Sequence, residues 1–306
     1  LQVPSEMNAI VEAASAATAR HLARRDAASF QVNTRRADKR FPLSSMEVNV
    51  AVGRHLQDAY GLRVDLDAPD LVVSVEIRDL SYAYTEILSG PGGLPVGTGG
   101  RAVSLLSGGI DSPVATWMAA RRGLEVIPVH CYAFPFVNER SKVKVVDLCR
   151  VLSRYAGAVR LWVAFFTEIQ RAIQLGVVAD LRVTIMRRMM MRLAERIAQR
   201  EGALALVTGE SAGQVASQTL ESIAVIDAAT RLVVLRPVIG MDKTEIVARA
   251  RTIGTYDLSV LPYEDCCSLF VPAHPRTRPT LGEAEAQERG LPIADLLDEA
   301  VGRSEV

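Results

Sequence analysis

The sequence predicts an α/β protein in two parts, a small N-terminal α+β unit and a larger unit built on a parallel sheet. The length of 306 residues allows about two domains. A segment rich in Gly and Pro at 89–100 separates two different patterns and is the predicted linker. Beyond it, short apolar strands alternate with helices, which is typical of a parallel sheet covered by helices on both faces.

Residues 1–88 form the first predicted unit, in which helices and strands mix without a regular alternation. The Ala-rich segment 7–25 predicts a helix that ends in basic residues. Residues 44–60 predict a second helix, capped by Ser44 or Ser45. Alternating apolar and polar residues predict strands at 29–36, 71–80 and 81–88, the last two adjacent to each other.

Residues 101–280 form the second predicted unit, and 281–306 are set apart as a C-terminal tail. The strands are expected at 102–106, 124–132, 158–165, 203–209 and 231–238. The helices are expected at 112–122, 139–155, about 167–200 and 242–254, the last ended by its glycine.

The composition excludes several classes of protein. Basic and acidic residues number 35 each, so no global field attracts nucleic acid and any RNA binding must depend on local patches. No apolar run reaches the ~18–20 residues that span a bilayer, and no signal peptide is visible. The four cysteines lack metal-binding spacing and fit a reducing cytoplasm. We therefore expect a cytoplasmic protein without a membrane association or a resident metal.

The stretch "VSLLSGGIDSPVATWM" places two glycines and a carboxylate where a predicted strand meets a helix. A loop of this kind aims backbone N–H groups and the helix N-terminus at one point, which favours an anion. Gly108 and Gly109 would let the backbone approach a phosphate, while Ser107 and Ser112 would supply hydroxyl donors. Asp111 would repel a bare phosphate, so it indicates a metal ion or a helix cap. A tight turn with a capping Asp is the alternative.

The letters SGGIDS match the pyrophosphate-loop signature of enzymes that adenylate a substrate with ATP and release pyrophosphate. The substrate is narrowed by further stretches, which lie at 34–42, 92–100, 187–192, 208–222, 236–246 and 263–267. Together they resemble, in order and spacing over nearly the whole chain, the bacterial tRNA 4-thiouridine synthetases (tRNA uracil 4-sulfurtransferases, the ThiI family).

The resemblance implies a THUMP RNA-binding domain to about residue 88, preceded by a remnant of a ferredoxin-like domain. A Rossmann-like pyrophosphatase-loop domain, similar to the adenine nucleotide α-hydrolases, would follow. Two departures are expected: the chain is truncated at its N-terminus, and it lacks the C-terminal rhodanese domain of some members.

The resemblance also implies the reaction and the partners. ATP, with Mg²⁺, adenylates O4 of uridine 8 in tRNA, and persulfide sulfur then replaces that oxygen. The expected partners are tRNA, a cysteine desulfurase and a second copy of the chain, and in some members the sulfur carrier protein of thiamine synthesis.

The family motifs assign site residues by position. Asp111 and Lys243 are expected to act in adenylation. ATP-binding residues are expected at Leu105, Leu106, Ser107, Gly108, Gly109, Asp111, Ser112, His130, Cys131, Arg187, Gly209 and Gln218. Without the resemblance, Arg187 and Arg188 would be assigned to a solvated helix face. If the motif is aligned one residue further along, Arg188 takes the nucleotide-binding position in place of Arg187. Cys131 and Cys149 would be small core residues.

The basic stretch "TRRADKR" would ordinarily be a solvated face. The resemblance to THUMP domains favours phosphate contact by Arg35, Arg36, Lys39 and Arg40 instead.

The adjacent cysteines Cys266 and Cys267 allow several interpretations. A disulfide between neighbours is strained, and a metal site lacks further ligands nearby in sequence. Two small buried residues are a further possibility. By the family motif, Cys266 is the catalytic cysteine, which either accepts persulfide sulfur or resolves a persulfide delivered from outside.

Two other functions stay open at this point. An amide or amidine synthetase acting on a small metabolite would use the same loop, but it needs an ammonia source and no RNA-binding domain. A tRNA-binding module with a decayed ATP site is the other alternative, which the intact loop residues and Lys243 disfavour.

Overall fold

The computed structural model describes residues 1–263 and 276–306, which divide into two compact units, Leu1–Gly90 and Pro91–Val306. The division falls inside the predicted linker. The linker residues that follow it are bonded to the second unit, where the N–H groups of Leu94 and Gly97 donate to the carbonyls of Arg121 and Gly123 at 2.9 Å.

The first unit is a mixed five-stranded sheet with two helices, as the predicted α+β class requires. Its elements are β1 (Gln2–Pro4), α1 (Met7–Leu22), β2 (Ser29–Arg36), α2 (Ser45–Tyr60), β3 (Arg63–Val64), β4 (Leu71–Ile77) and β5 (Leu80–Tyr84). The strand order is β1-β5-β4-β2-β3, with β2 parallel to β3 and β4, and β5 antiparallel to β1 and β4. The predicted adjacency of the last two strands is confirmed.

The helix α2 shows how local sequence and packing combine in this unit. Ser44 caps it, since the Glu47 N–H donates to the Ser44 hydroxyl and the Ser44 N–H donates to the Glu47 carboxylate. Val48, Val52 and Leu56 recur every fourth residue and are fully buried against the sheet. The capping choice left open between two serines is thereby settled in favour of Ser44.

The second unit follows the predicted alternation of strands and helices. Its elements are β6 (Arg101–Leu105), α3 (Asp111–Arg121), β7 (Glu125–Tyr132), α4 (Glu139–Ala156), β8 (Trp162–Phe165), α5 (Thr167–Gly176), α6 (Arg182–Glu201), β9 (Ala205–Val207), α7 (Leu220–Asp227), β10 (Val233–Leu235), α8 (Lys243–Ile253), α9 (Tyr256–Ser259), α10 (Leu281–Glu288) and α11 (Ile293–Gly302). No helix among the described residues is both long and apolar enough to cross a membrane.

All five strands of this unit run parallel, in the order β10-β9-β6-β7-β8. The chain proceeds from β6 to β7 and β8 on one side, then crosses to β9 and β10 on the other. The order therefore reverses at β6, and ligands of open α/β sheets bind at the carboxyl ends of the strands beside such a reversal. The predicted fold class is confirmed.

Apolar side chains cover both faces of this sheet. One cluster holds residues of α3, α4 and α8, and the other holds residues of α5, α6, α10 and α11. The predicted tail is thus part of the core: Leu297, Ala300 and Val301 of α11 are buried because they lie on one face of the helix. The predicted single helix at 167–200 is two helices, since the backbone is extended at Val177 and Val178.

A buried ion pair fastens α10 to α6. The Arg188 side chain, 2% exposed, donates to both carboxylate oxygens of Glu288 at 2.7 and 2.8 Å, and Arg192 also donates to this carboxylate. Burial raises the pKa of Glu288, but the bonds from the two arginines outweigh it and lower the pKa to about 2. The interpretation of Arg188 as a solvated residue is therefore wrong.

Candidate active site

A cavity of about 560 Å³ opens at the carboxyl ends of the central strands of the second unit. Residues at the carboxyl end of β7 and residues that follow β6 and β9 line it, together with residues of α3, α4 and α6. The structure brings all the residues predicted to bind ATP to this cavity, which is lined by Leu105, Leu106, Ser107, Gly108, Gly109, Asp111, Ser112, His130, Cys131, Arg187, Gly209 and Gln218. Their contact with ATP stays a prediction.

The loop between β6 and α3 is held from within by two serines. The Ser107 N–H donates to the Ser112 hydroxyl at 2.9 Å, the two hydroxyls lie 3.0 Å apart, and the Gly109 N–H donates to Ser107 Oγ at 3.2 Å. A Cβ added to Gly109 would meet only Ser107 Oγ, at 3.4 Å. Packing within the chain therefore does not require glycine at this position, whereas close approach of a ligand would.

Gly209, which follows β9, is required by the protein itself. A Cβ added there would lie 2.6 Å from Ser112 N, 2.7 Å from Ser112 Cα and 2.9 Å from the carbonyl carbon of Asp111. These are backbone atoms at the start of α3, so they cannot rotate away. Gly209 thus lets the end of β9 lie directly against the N-terminal end of α3.

Replacing Gly209 with alanine is expected to displace this loop and weaken ATP binding by about tenfold or more, at a cost of about 1–3 kcal/mol in strain. Isothermal titration calorimetry with ATP measures the change. Gly240→Ala is the matched control, because a Cβ at Gly240 has no atom within 4 Å and its φ lies outside the left-handed region. Unchanged ATP affinity in Gly209→Ala would contradict the role of close packing here.

Asp111, the first residue of α3, is held at both carboxylate oxygens. Lys243 Nζ donates to Oδ1 at 2.5 Å, and Gln214 Nε2 donates to Oδ2 at 2.8 Å. The side chain of Asp111 is 17% exposed and that of Lys243 is 46% exposed. Asp111 and Lys243, both expected to act in adenylation, thus form a direct ion pair, although Lys243 begins α8, far along the chain.

A second carboxylate, Glu210, lines the cavity beside Gly209 and is 4% exposed. Its Oε2 accepts hydrogen bonds from the Thr208 hydroxyl at 2.9 Å and from Arg236 Nε at 2.8 Å. Arg236 also pairs with Asp227 of α7. Glu210 was not predicted from the sequence, although it directly follows a predicted site glycine.

The helix α6 presents its two neighbouring arginines to different surroundings. Arg187 lines the cavity, whereas Arg188 is buried in its ion pair with Glu288. Consecutive side chains on a helix point about 100° apart, so Arg187 can face the cavity while Arg188 faces the core. The structure therefore favours Arg187 over Arg188 for the nucleotide site.

Other cavity residues were also missed from sequence, among them Lys144 and Tyr263. Lys144 is 4% exposed, and its Nζ donates to the Leu261 carbonyl at 2.9 Å. The feature that could have identified Lys144 from the sequence is its position on the buried face of α4, between Ser141 and Leu148, where a charged residue is unexpected.

The cysteines separate into three cases. Cys149 lies in the core, and burial raises its pKa to about 12, so the interpretation as a core residue is supported. Cys131 belongs to the other core cluster and also lines the cavity. Cys266 and Cys267 lie outside the described residues.

The predicted basic patch lies in the first unit at the end of β2 and in the loop that follows. Arg36 donates to the carbonyls of Phe41 and Leu43 at 3.0 and 2.7 Å, and so holds this loop. Arg40 pairs with Asp38. Arg35 and Lys39 are exposed and form no ion pair with another described residue, so they are the cations best placed to meet a phosphate.

Comparisons with known proteins agree with both units. The family model described as thiamine biosynthesis protein (ThiI) matches residues 97–293, and the THUMP domain model matches residues 4–81. A probable tRNA sulfurtransferase of Moorella thermoacetica is 52% identical over 305 residues, which are 99% of this chain and 77% of the relative. Another, of Halothermothrix orenii, is 51% identical and covers 91% of this chain and 73% of its own.

A solved structure gives the same result for the fold. The crystal structure of a 4-thiouridine synthetase–RNA complex with bound ATP superposes with a TM-score of 0.91 at 38% identity, and covers 100% of this chain and 80% of that one. The resemblance inferred from the motifs is confirmed. The chain belongs to the ThiI family of tRNA sulfurtransferases and carries an N-terminal THUMP domain.

Proposed function

We propose that this chain is an ATP-dependent tRNA sulfurtransferase, which adenylates O4 of uridine 8 in tRNA and replaces that oxygen with persulfide sulfur. The observation that carries the proposal is the cavity at the sheet reversal, where a glycine loop, a helix N-terminus, Asp111 and Arg187 converge. The relatives named tRNA sulfurtransferases and the ATP-bound 4-thiouridine synthetase support it.

ATP fits the polar groups of the cavity. Gln218 is 6% exposed, and its Oε1 has no hydrogen-bond partner among the described residues. A buried orphaned acceptor is costly, and an amino or hydroxyl group of the nucleotide would supply the missing donor. Arg187 and the start of α3 would balance the charge of the phosphates.

Mg²⁺ fits as an ion held together with the phosphates of ATP. Magnesium sites in nucleotide enzymes typically use one or two carboxylates with phosphate oxygens and water, and the cavity offers Asp111 and Glu210. When bound, Mg²⁺ would neutralise phosphate charge and ease the departure of pyrophosphate.

Lys243 and Asp111 would have different roles in adenylation. O4 of uridine is a poor leaving group, so AMP is first transferred to it and pyrophosphate leaves. Lys243 would stabilise the charge that develops on the phosphates, and Asp111 holds Lys243 in place through their ion pair. Persulfide sulfur then attacks C4 of the activated uridine, and AMP leaves.

The sulfur source and several partners belong to this proposal. Cys266 is the candidate carrier of sulfur from a cysteine desulfurase, and the reaction would take place in the cytoplasm, where tRNA is available. Transfer to the sulfur carrier protein of thiamine synthesis and assembly as a homodimer stay predictions from the family resemblance.

Contact between the first unit and tRNA should depend on the exposed cations of the patch. Replacing Arg35 and Lys39 together with alanine is expected to weaken tRNA binding severalfold and to reduce the slope of affinity against salt by about two, since each phosphate contact contributes roughly one. Filter binding over a range of salt concentrations measures both quantities.

The matched control is a double replacement of Arg63 and Arg78, two exposed arginines of the same unit that already pair with Asp65 and Glu76. ATP affinity should remain unchanged in both variants. If the Arg35/Lys39 variant keeps the affinity and salt slope of the unaltered protein, the patch is only a solvated surface.

Pyrophosphate release from ATP, with and without unmodified tRNA, tests the function. Release that requires tRNA is expected. Release that requires a small amine acceptor instead would favour an amide synthetase, and no release in either case would favour a binding module.

A further inference from the structure

Gln214 lies in the loop that follows β9 and is bonded to the carboxylate of Asp111. We propose that Gln214 is a positioning residue for adenylation, whose neutral amide fixes Asp111 in the orientation that serves Lys243. The inference deepens the proposed function and rests on it. Its basis is the three-way contact among Gln214, Asp111 and Lys243, which joins three separate segments of the chain.

Each oxygen of the Asp111 carboxylate accepts one hydrogen bond. Lys243 donates to Oδ1 at 2.5 Å, and Gln214 donates to Oδ2 at 2.8 Å. With Lys243 alone, the carboxylate could rotate about its Cβ–Cγ bond and follow the long lysine chain, which is 46% exposed. A second donor on the other oxygen removes that freedom.

The orientation of the Gln214 amide follows from the same contact. An ionised carboxylate only accepts hydrogen bonds, so the amide nitrogen must face Asp111 and the oxygen must face away. Gln214 Oε1 is buried and has no hydrogen-bond partner among the described residues. The orientation that places the amide N–H on Asp111 therefore leaves the buried amide oxygen unsatisfied. A buried unsatisfied acceptor is costly, and it is unusual in a side chain that only fills space.

The loop that carries Gln214 is braced by its backbone. The Ala212 N–H donates to the Ile239 carbonyl at 2.9 Å, and the Gly213 N–H donates to the Gln218 carbonyl at 2.8 Å. The loop thus connects the Asp111 contact with Gln218, which lines the cavity. A donor on a braced loop can hold a carboxylate more closely than one at the end of a flexible chain.

The neutrality of the amide also matters. Lys243 is the ionised side chain that contacts Asp111 within the part of the chain the structure describes. A glutamate at 214 would place a second negative charge against Asp111, and two such carboxylates tend to share a proton. A lysine or arginine there would compete with Lys243 for the same carboxylate.

Two replacements of similar size test the proposal in the full chain. Gln214→Met removes the donor, and we expect kcat for tRNA-dependent pyrophosphate release to fall about tenfold with little change in the KM for ATP. Gln214→Glu should lose more, because a second negative charge beside Asp111 repels its carboxylate and competes with it for Lys243. Gln199→Glu, at an exposed position of α6, is the control for added charge.

The outcomes separate the alternatives. Wild-type kcat in both Gln214 variants would overturn the proposal, and so would an equal loss in both variants accompanied by a lower melting temperature. A wild-type protein that releases no pyrophosphate with tRNA would contradict the proposed function instead. In that case, a crystal structure of Gln214→Met decides: an Asp111 carboxylate rotated away from Lys243 supports the inference, and an unmoved one overturns it.

Discussion

Replacing Asp111 with alanine is expected to reduce tRNA-dependent AMP formation by about a hundredfold or more, while the fold remains intact. The carboxylate accepts bonds from Lys243 and Gln214, and so connects the start of α3 with α8 and with the loop after β9. Without it, Lys243 loses the anion that positions it near the phosphates. Thin-layer separation of labelled AMP from ATP, at saturating tRNA and with a cysteine desulfurase and cysteine supplied so that sulfur displaces AMP, measures the loss.

Two companion variants make this result specific. Asp111→Asn keeps the shape and an acceptor for Lys243 but removes the charge, so it should also lose activity, to a smaller extent. Asp147→Ala, a surface carboxylate of α4 paired with Arg150, should be fully active. A folded Asp111→Ala protein with normal AMP formation would rule out the role given to this residue.

Replacing Cys266 with serine is expected to abolish 4-thiouridine formation but to spare adenylation of tRNA. The reason is chemical: a hydroxyl cannot carry persulfide sulfur, whereas transfer of AMP to O4 requires no thiol. With a cysteine desulfurase and cysteine supplied, 4-thiouridine is read from the absorbance of the tRNA. Adenylation is read from labelled AMP retained on the tRNA in a single turnover.

The neighbouring cysteine is the matched control for this experiment. Cys267→Ser should retain most of the thiolation activity, because the family motif assigns the chemistry to Cys266. If Cys266→Ser makes 4-thiouridine at the normal rate, the sulfur must travel by another group.

The part of the site that the sequence predicted best is local. The SGGIDS loop and its flanking strand and helix are recognisable because each depends on neighbouring residues and on where a strand ends, whereas Gly209 was assigned only by the family motif. The alternation of strands and helices likewise determined the class of the second unit. The boundary at Gly90 fell within the predicted linker for the same reason.

Contacts between residues that are far apart in the sequence could not be predicted from the sequence pattern. Gln214 and Asp111 are 103 positions apart, and Arg188 meets Glu288 across 100 positions. A glutamate in a helix of mixed composition gives no sign that it will accept bonds from two arginines in the core. The tail was therefore set apart from the domain, and Arg188 was assigned to solvent, because its partner was not visible in sequence.

The direct test of the whole account is a reconstituted reaction of the unaltered chain with unmodified tRNA, ATP, a cysteine desulfurase and cysteine. The account predicts 4-thiouridine at position 8 of the tRNA, formed together with an equal amount of AMP and only when ATP is present. Formation of 4-thiouridine without ATP, or AMP formation that does not depend on tRNA, would contradict it.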